Sequence, residues 1–592
     1  MKNSTNLSLR FLKLFVTVTY FLLNVNGSNA NNWDNTLGTS KGFIENKGQF
    51  NIQTISGKKL EVLYAYDGGS EDYYFTNNGV VLTFTQKEKY QKSDQEKLQR
   101  IERKKQGFKT QKEWQDFERD GNRIILTQDE LECNWIGANN DVQIIPEIKN
   151  TFYHSYQIKK AGSKTENINN IPSYQKLTYK NIYPFIDLIY EFHEKGGLKY
   201  SLVLYPGANL SDVQLKYSKD ISLQGNGSIY TPTVFGNIID HKPVTFYAAH
   251  QNNTIESSYQ VNNNTIGFKL GNYDKSKTII IDPWTQSPGF SSNWDCVWEC
   301  ERDGLGNVYI IGGVMPLQLL KYNAAGALQW TYNTPYDTTT WMGTFATDLA
   351  GNSYITNGSI AAIQKVDNNA GVVWDNPNPG GLFSSTELWT IAFNCDQTKL
   401  IVGGTGGFLP PVPYIYDIDM NTGNVTASVQ TNNSGGLFDI EEVRSIAACG
   451  NGKYYFMTHD SIGYIHQSLT SCLPGNGFPF HVNSTYGLGY KCENWRYDNS
   501  GMAVIRYYNG FIYTHRGNQV DKRDFNTAAI IATATIPGGV FNNVFLGGNQ
   551  VGNAGIDIDD CGNVYVGSTN GVYKFDQNLA PISNRSEGRR VG

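Results

Sequence analysis

Between residues 41 and 283, short apolar or alternating runs at 60–66, 73–75, 80–85, 186–190, 198–205 and 278–282 are separated by Gly-Gly, Asn-Asn-Gly and similar turns. Period-two alternation bounded by turn residues predicts β-strands, each with one face buried. One stretch breaks the pattern. From 86 to 123 the chain turns to Lys, Glu, Gln and Arg, with Leu98, Ile101, Phe108, Trp114 and Phe117 as a thin apolar seam. That composition predicts a solvated helix or helical hairpin inserted in a loop between strands. Strands resume at Val142, and Asp282-Pro283 followed by a Pro-, Ser- and Gly-containing linker closes the first region.

Beyond the linker the strands repeat. The phrase Asp-x-x-Gly-Asn-x-Tyr occurs three times in identical spacing: Asp303, Gly306, Asn307 and Tyr309; Asp348, Gly351, Asn352 and Tyr354; Asp559, Gly562, Asn563 and Tyr565. Each copy predicts a tight turn handing over to a strand, with the Asp side chain bonding turn amides. A second phrase follows: Lys321, Asn323, Gly326 and Trp330; Lys365, Asp367, Gly371 and Trp374; Lys574 and Asp576. Its Asn or Asp and Gly suit a hairpin turn, and its Trp is placed for a contact between units. A repeating strand-turn-strand unit of roughly 40–55 residues predicts a β-propeller blade. Degenerate units at 400–404 with 415–419, at 454–458, and at 503–507 with 511–515 and 520–524 bring the count to six; a seventh blade would belong to a longer protein. The expected fold class is all-β: a sandwich-like domain at 31–285 carrying the helical insertion, a propeller at 286–580, and an irregular tail at 581–592.

Composition agrees and narrows the partners. Aromatic residues make up 13% and charged residues 17%, with 60 Gly and 37 Tyr, a balance that suits Gly-turned strands better than helices. A net charge of −5 over 592 residues gives no footprint for nucleic acid. Lys2, Arg10 and Lys13 precede an apolar run at 14–25 and then Ser28-Asn29-Ala30, which predicts a secretory signal peptide over 1–30. No second apolar stretch follows, so the mature chain is expected to carry no membrane span. Export permits disulfides among the eight Cys. Cys296 and Cys300, four apart in a strand, would stand ~13 Å apart, beyond bridging distance. Cys472 and Cys492 flank a Gly- and Pro-rich loop and are the expected pair; Cys395 and Cys449 fall near the Asp position of neighbouring units.

The phrase Gly42-Phe43-Ile44-Glu45-Asn46-Lys47-Gly48-Gln49, then Tyr74-Phe75-Thr76, Gly79-Val80, Leu198-Lys199-Tyr200, Tyr205-Pro206-Gly207-Ala208 and Ile279-Ile280-Ile281-Asp282-Pro283, resembles the large exported proteins of gliding bacteria. In those proteins a β-rich N-terminal domain precedes SBBP-like propeller repeats. The resemblance spans most of residues 41–577 and implies surface or extracellular residence, linked to gliding motility or type IX secretion, with no catalytic residue to carry over. Such proteins commonly continue into immunoglobulin-like modules and a sorting domain. This chain ends at Gly592 without them, which reads as a fragment or as an unusual route of export.

Candidate chemistry is sparse. Asp417, Asp419 and Asn421, followed by Gly423, alternate as a calcium loop requires, although the Gly falls one place late and a plain hairpin turn uses the same residues. Gly197 stands where the second His of a zinc-protease motif beginning at His193-Glu194 would be needed. No nucleophile elbow or phosphate loop occurs. Asp303, Asn307, Asp348, Asn352, Asp559 and Asn563 are expected to be structural turn residues. The expected function is therefore a non-catalytic surface protein, adhesin-like, binding a glycan or protein through variable loops such as 404–413 and 471–489, with no cofactor beyond calcium. The alternatives are a propeller enzyme (a hydrolase, or a quinone-dependent dehydrogenase, which 326–332 mildly resembles) and a carbohydrate-binding protein. Quinone-dependent enzymes commonly have eight blades and an adjacent Cys pair, and neither is present.

Overall fold

A computed structural model describes residues 41–582 apart from several segments, the longest being 290–296, 337–343, 431–442, 467–479, 482–503 and 537–555. The proposed leader, Cys472, Cys492 and the tail beyond 582 lie outside the described residues.

The N-terminal region is a long antiparallel sheet that turns back on itself. Strands Phe43–Glu45, Tyr64–Asp67, Glu71–Thr76, Gly79–Lys89 and Ile124–Trp135 pair in succession. On the other side of Phe43–Glu45 the order runs through Thr165–Tyr183, Ile186–Phe192, Leu198–Leu204 and Ile279–Asp282. The two halves enclose one core, in which Phe75, Leu82, Leu131 and Trp135 of the first half meet Leu177, Tyr190, Leu202 and Ile281 of the second. The Trp135 indole N–H donates to the Tyr190 hydroxyl at 2.9 Å across that core. The charged insertion contains a helix, Asp94–Lys105, at the far end of the hairpin whose strands pair from Gly79 with Asn134 to Lys89 with Ile124. Ser93 and Glu96 make a capping box at its start: Glu96 accepts from the Ser93 N–H at 2.8 Å, and the Glu96 N–H donates back to Ser93 Oγ at 3.3 Å.

Among the described residues the repeats form six blades. Four consecutive strands meander antiparallel in each of blades one to five, and three strands make blade six: Ile556–Ile558, Val564–Ser568 and Gly571–Phe575. The first strands are Val297–Arg302, Phe345–Thr347, Leu388–Phe393, Ser445–Cys449, Val504–Tyr508 and Ile556–Ile558, and each neighbours the next. Apolar cores lie between blades rather than within them. Tyr309, Trp330, Phe345 and Ile355 share one core between blades one and two, and Tyr513, Val520, Val564 and Phe575 another between blades five and six. The architecture is all-β with a propeller, as the periodicity predicts.

One connection was not legible in the sequence. Gln143–Lys159 and Thr165–Tyr183 form a long hairpin, and its first strand adds in parallel to the outer strand of blade one, Leu328–Asn333. Trp330 stands opposite Tyr153, Thr331 opposite His154 and Asn333 opposite Tyr156. The outer edge of a blade is a row of unpaired amides and carbonyls, and here the N-terminal sheet covers it. The Tyr153 hydroxyl donates to the Asn369 carbonyl at 2.9 Å and Gln157 Nε2 to Asp375 at 3.2 Å, so the hairpin also reaches blade two.

Candidate functional site

The repeat turn has one geometry in all three copies. Asp303 Oδ1 accepts from the N–H groups of Leu305 and Asn307 at 2.9 and 3.0 Å, while Oδ2 accepts from the Asn307 side chain at 2.7 Å and the Tyr309 hydroxyl at 3.1 Å. Asp348 repeats this with Ala350, Asn352 and Tyr354, and Asp559 with Cys561, Asn563 and Tyr565. Gly306, Gly351 and Gly562 all have φ near +80° (79°, 87° and 81°), which explains the Gly at this place in the phrase. Burial pushes the Asp303 carboxyl up, but the donated hydrogen bonds, led by Asn307, outweigh it and hold the group below the usual range.

The second phrase links blades. Lys321 Nζ and the Trp330 indole N–H both donate to the Asn368 carbonyl of blade two, each at 3.0 Å. Lys365 and Trp374 do the same to the Met420 carbonyl of blade three, at 3.3 and 3.2 Å. The Lys amino groups also lie 5.2–5.3 Å from the Tyr309, Tyr354 and Tyr565 ring centroids in blades one, two and six, within cation–π range.

A cross-strand row runs at the same level in blades one, two, three, five and six. Glu301, Tyr309, Lys321 and Trp330 stand opposite one another in blade one; Ala346, Tyr354, Lys365 and Trp374 in blade two. The row is Ala392, Ile401, Asp417 and Ala427 in blade three, begins Arg506, Tyr513 and Lys522 in blade five, and is Asp557, Tyr565 and Lys574 in blade six. The first member of each row is on the first strand, the one that surrounds a propeller's central channel. At that level the first strands carry Glu301, Ala346 and Ala392 in blades one to three, and Arg506 and Asp557 in blades five and six. Of these five positions, the charged ones fall in blades one, five and six.

The sector is electrostatically coupled. Burial pushes the Glu301 carboxyl up to about 8; Arg506 works against this, while Glu299 and Asp557 add to it. Burial pushes Glu299 up to about 6, opposed by hydrogen bonds from the Phe345 N–H at 3.0 Å and the Thr344 hydroxyl at 2.8 Å, and by Arg506. Cys300 is exposed, yet surrounding protein and then the Glu301 and Asp557 carboxylates raise its thiol to about 11, so it is a poor nucleophile at neutral pH. Blade-one residues feel blades five and six, which brings the two ends of the repeat array together. One sector thus holds two carboxyl groups raised above the ordinary carboxylate range and a guanidinium.

The calcium-loop candidates take other partners. Asp417 occupies the Lys position of its row and pairs with Lys399 at 2.7 Å. Asp419 Oδ1 accepts from the N–H groups of Asn421 and Thr422 at 2.9 and 2.8 Å, and Gly423 has φ 72°. This is the hairpin-turn geometry, and among the described residues no group of three metal-ligating side chains converges. Among them Cys133, Cys300 and Cys561 are free thiols, and no helix is long and apolar enough to cross a membrane.

Sequence reading missed Glu301, Asp557 and Arg506. A signal existed for two of them: Glu301 and Asp557 stand two places before the repeat Asp, where blade two has Ala346. Arg506 precedes a degenerate turn, so nothing marks its level.

The profile of a family described as a domain of unknown function (DUF7948) matches residues 43–284. No curated protein matches the chain. Among solved structures it is similar to BamB from Moraxella catarrhalis, with 12% identity over 61% of this chain and 86% of that one and a TM-score of 0.29. It is also similar to virginiamycin B lyase from Staphylococcus aureus (13% identity, 50% of this chain, 87% of that one, TM-score 0.35). A quinohemoprotein alcohol dehydrogenase from Comamonas testosteroni matches at 13% identity over 48% of this chain and 53% of that one, with a TM-score of 0.31. At these scores the architecture rests on the strand pairing itself.

Proposed function

We propose that this is an exported, non-catalytic surface protein that uses its propeller as a binding scaffold, with the ligand meeting the charged sector of the channel wall. The observation that carries this reading is the asymmetry at one level: Glu301, Asp557 and Arg506 on adjoining blades, against Ala346 and Ala392 elsewhere. A sector with two carboxyl groups and a guanidinium suits the hydroxyls of a surface glycan or the polar groups of a protein loop. The N-terminal leader and the likeness to gliding-bacterial proteins support export and a link to motility or type IX secretion. In this reading the β-rich domain, to about residue 285, braces the propeller by strand addition, and the propeller presents the site.

Cell fractionation with N-terminal sequencing tests the location. The expected product is in the surface or extracellular fraction and starts after residue 30; a cytoplasmic product starting at Met1 overturns export. A glycan-array and cell-surface binding screen tests the site, with Arg506→Ala and Glu301→Ala each expected to weaken a hit by about tenfold or more at unchanged melting temperature.

A hydrolase is the second reading, favoured by one observation: Glu299 and Glu301 lie on one strand with protonation midpoints near 6 and 8, the split that acid–base pairs use. Turnover of glycan or ester substrates, abolished by Glu301→Gln, would move the assignment there.

A further inference from the structure

The blades do not all join alike. The second-strand residue of the cross-strand row is fully buried in blades one, two, three and five, where Tyr309, Tyr354, Ile401 and Tyr513 are all 0% exposed. In blade six that residue is Tyr565, and it is only half-buried. The blade-one side of the same junction is open too. Alternation along a strand turns Cys300 to the face opposite Glu301 and Tyr309, and Cys300 is exposed. Its counterparts Phe345, Ile505 and Ile556 in blades two, five and six are 2%, 0% and 3% exposed. Val308 and Leu320, on the Cys300 face, are half-buried.

Elsewhere the junction is closed by a hairpin-turn carbonyl. Asn368 and Met420, each directly after the Asp of its turn, accept from Lys321 with Trp330 and from Lys365 with Trp374. Gln577 holds the same place in blade six, and its carbonyl accepts from the Tyr513 hydroxyl of blade five at 2.7 Å. Lys574 and Tyr565 are the matching donors on blade six, and Ala324, after Asn323, has the matching carbonyl on blade one. Among the described residues no carbonyl of another blade accepts from either donor. Lys574 lies over the Tyr565 ring, and the Tyr565 hydroxyl donates to Asp559. The inner strands still approach, since the Asp557 carboxylate acts on the Cys300 thiol. The junction is a wedge, narrow at the channel and open at the rim.

We propose that this wedge is a docking cleft for a β-hairpin of a partner polypeptide, which presents the carbonyl after its turn Asx residue to Lys574. The occupant's chemistry is the one that the formed junctions already recognise: the same Lys, at the same place in the repeat, meets such a carbonyl in blades one and two. A charged donor gains most from an acceptor that is shielded from water. Two strands fit rather than four, because the inner strands of blades six and one already approach. Val308 and Leu320 give the hairpin an apolar surface to cover.

Fluorescence anisotropy of a labelled cyclic peptide of residues 363–376, the outer hairpin of blade two with the Asn368 carbonyl at its turn, tests this on the full chain. Wild type should bind the peptide, and Lys574→Met should bind it about tenfold more weakly at unchanged melting temperature. Lys365→Met is the control: its amino group already meets the Met420 carbonyl, so it should melt lower and bind the peptide as wild type does. No binding by wild type, or equal binding by Lys574→Met, overturns the proposal. So does a melting temperature or yield of folded protein that Lys574→Met lowers as far as Lys365→Met does, because Lys574 would then be capped within the chain.

Discussion

His154 should make the joint between the N-terminal sheet and blade one acid-sensitive. Its ring sits at the parallel pairing: Nδ1 meets the Thr331 hydroxyl at 2.7 Å and Nε2 the Ser173 hydroxyl at 3.3 Å, with no carboxylate beside it. Burial pushes its protonation midpoint from the ordinary 6.5 down to about 3. The folded state then resists the proton while the unfolded chain accepts it below about 6.5. Stability from this group is fully present above pH 6.5 and is lost progressively as the pH falls towards about 3, where the folded state also binds the proton. A fully enclosed ring would make this worth at most about 5 kcal/mol. The ring keeps partial contact with solvent, so about half of that is expected. The perturbation is His154→Gln, which stays neutral throughout. Thermal melts of both proteins from pH 7.5 to 3.5 give the difference curve, from which the titration of every other group largely cancels. Wild type should lose stability relative to the variant through that window. Parallel curves would show that His154 titrates normally or that the hairpin is not docked on blade one.

Further perturbations test the blades. Asp348→Ala removes an acceptor used by two turn amides, the Asn352 side chain and the buried Tyr354 hydroxyl, and should cost about 1–3 kcal/mol in denaturant unfolding while leaving any ligand affinity unchanged; lost binding at unchanged stability would make the turn functional. Trp330→Phe loses the indole donor to the Asn368 carbonyl and part of a ring system buried between blades one and two, and should cost about 2 kcal/mol or more, read from the denaturation midpoint; a neutral result would mean that Trp330 is not packed between the blades as described. Gly404→Ala places a Cβ 1.8 Å from the Glu387 carbonyl oxygen, so the strand Leu400–Gly406 must shift, and a loss of about 1–3 kcal/mol or more is expected in the same assay. A variant as stable as wild type would show that the first two strands of blade three do not pair as described.

The sequence by itself determined the local units, because each is written in contiguous residues. Asp303, Gly306, Asn307 and Tyr309 close a turn within seven positions, and the short apolar runs that follow the turns, 308–311, 353–355 and 564–566, lie within the strands Val308–Gly312, Ser353–Thr356 and Val564–Ser568. The Trp of the second phrase could be assigned to a contact between blades, since an indole at the same place in successive units needs a partner in the next unit. The charged insertion was equally plain, because a polar run with a thin apolar seam cannot join a buried sheet. Tertiary structure alone decided the rest. Glu301 and Asp557 share an environment only when the last blade meets the first, and Arg506 reaches them across a degenerate unit with no motif to align. The parallel pairing of Tyr153 with Trp330 depends on the long hairpin reaching the blade edge, and backbone hydrogen bonds carry no side-chain signature of their partner. Asp417 reads as a ligand in one dimension and as the partner of Lys399 in three. Short-range hydrogen bonding and alternation leave marks on sequence; which distant carboxylates share one dielectric environment is fixed only when the chain closes.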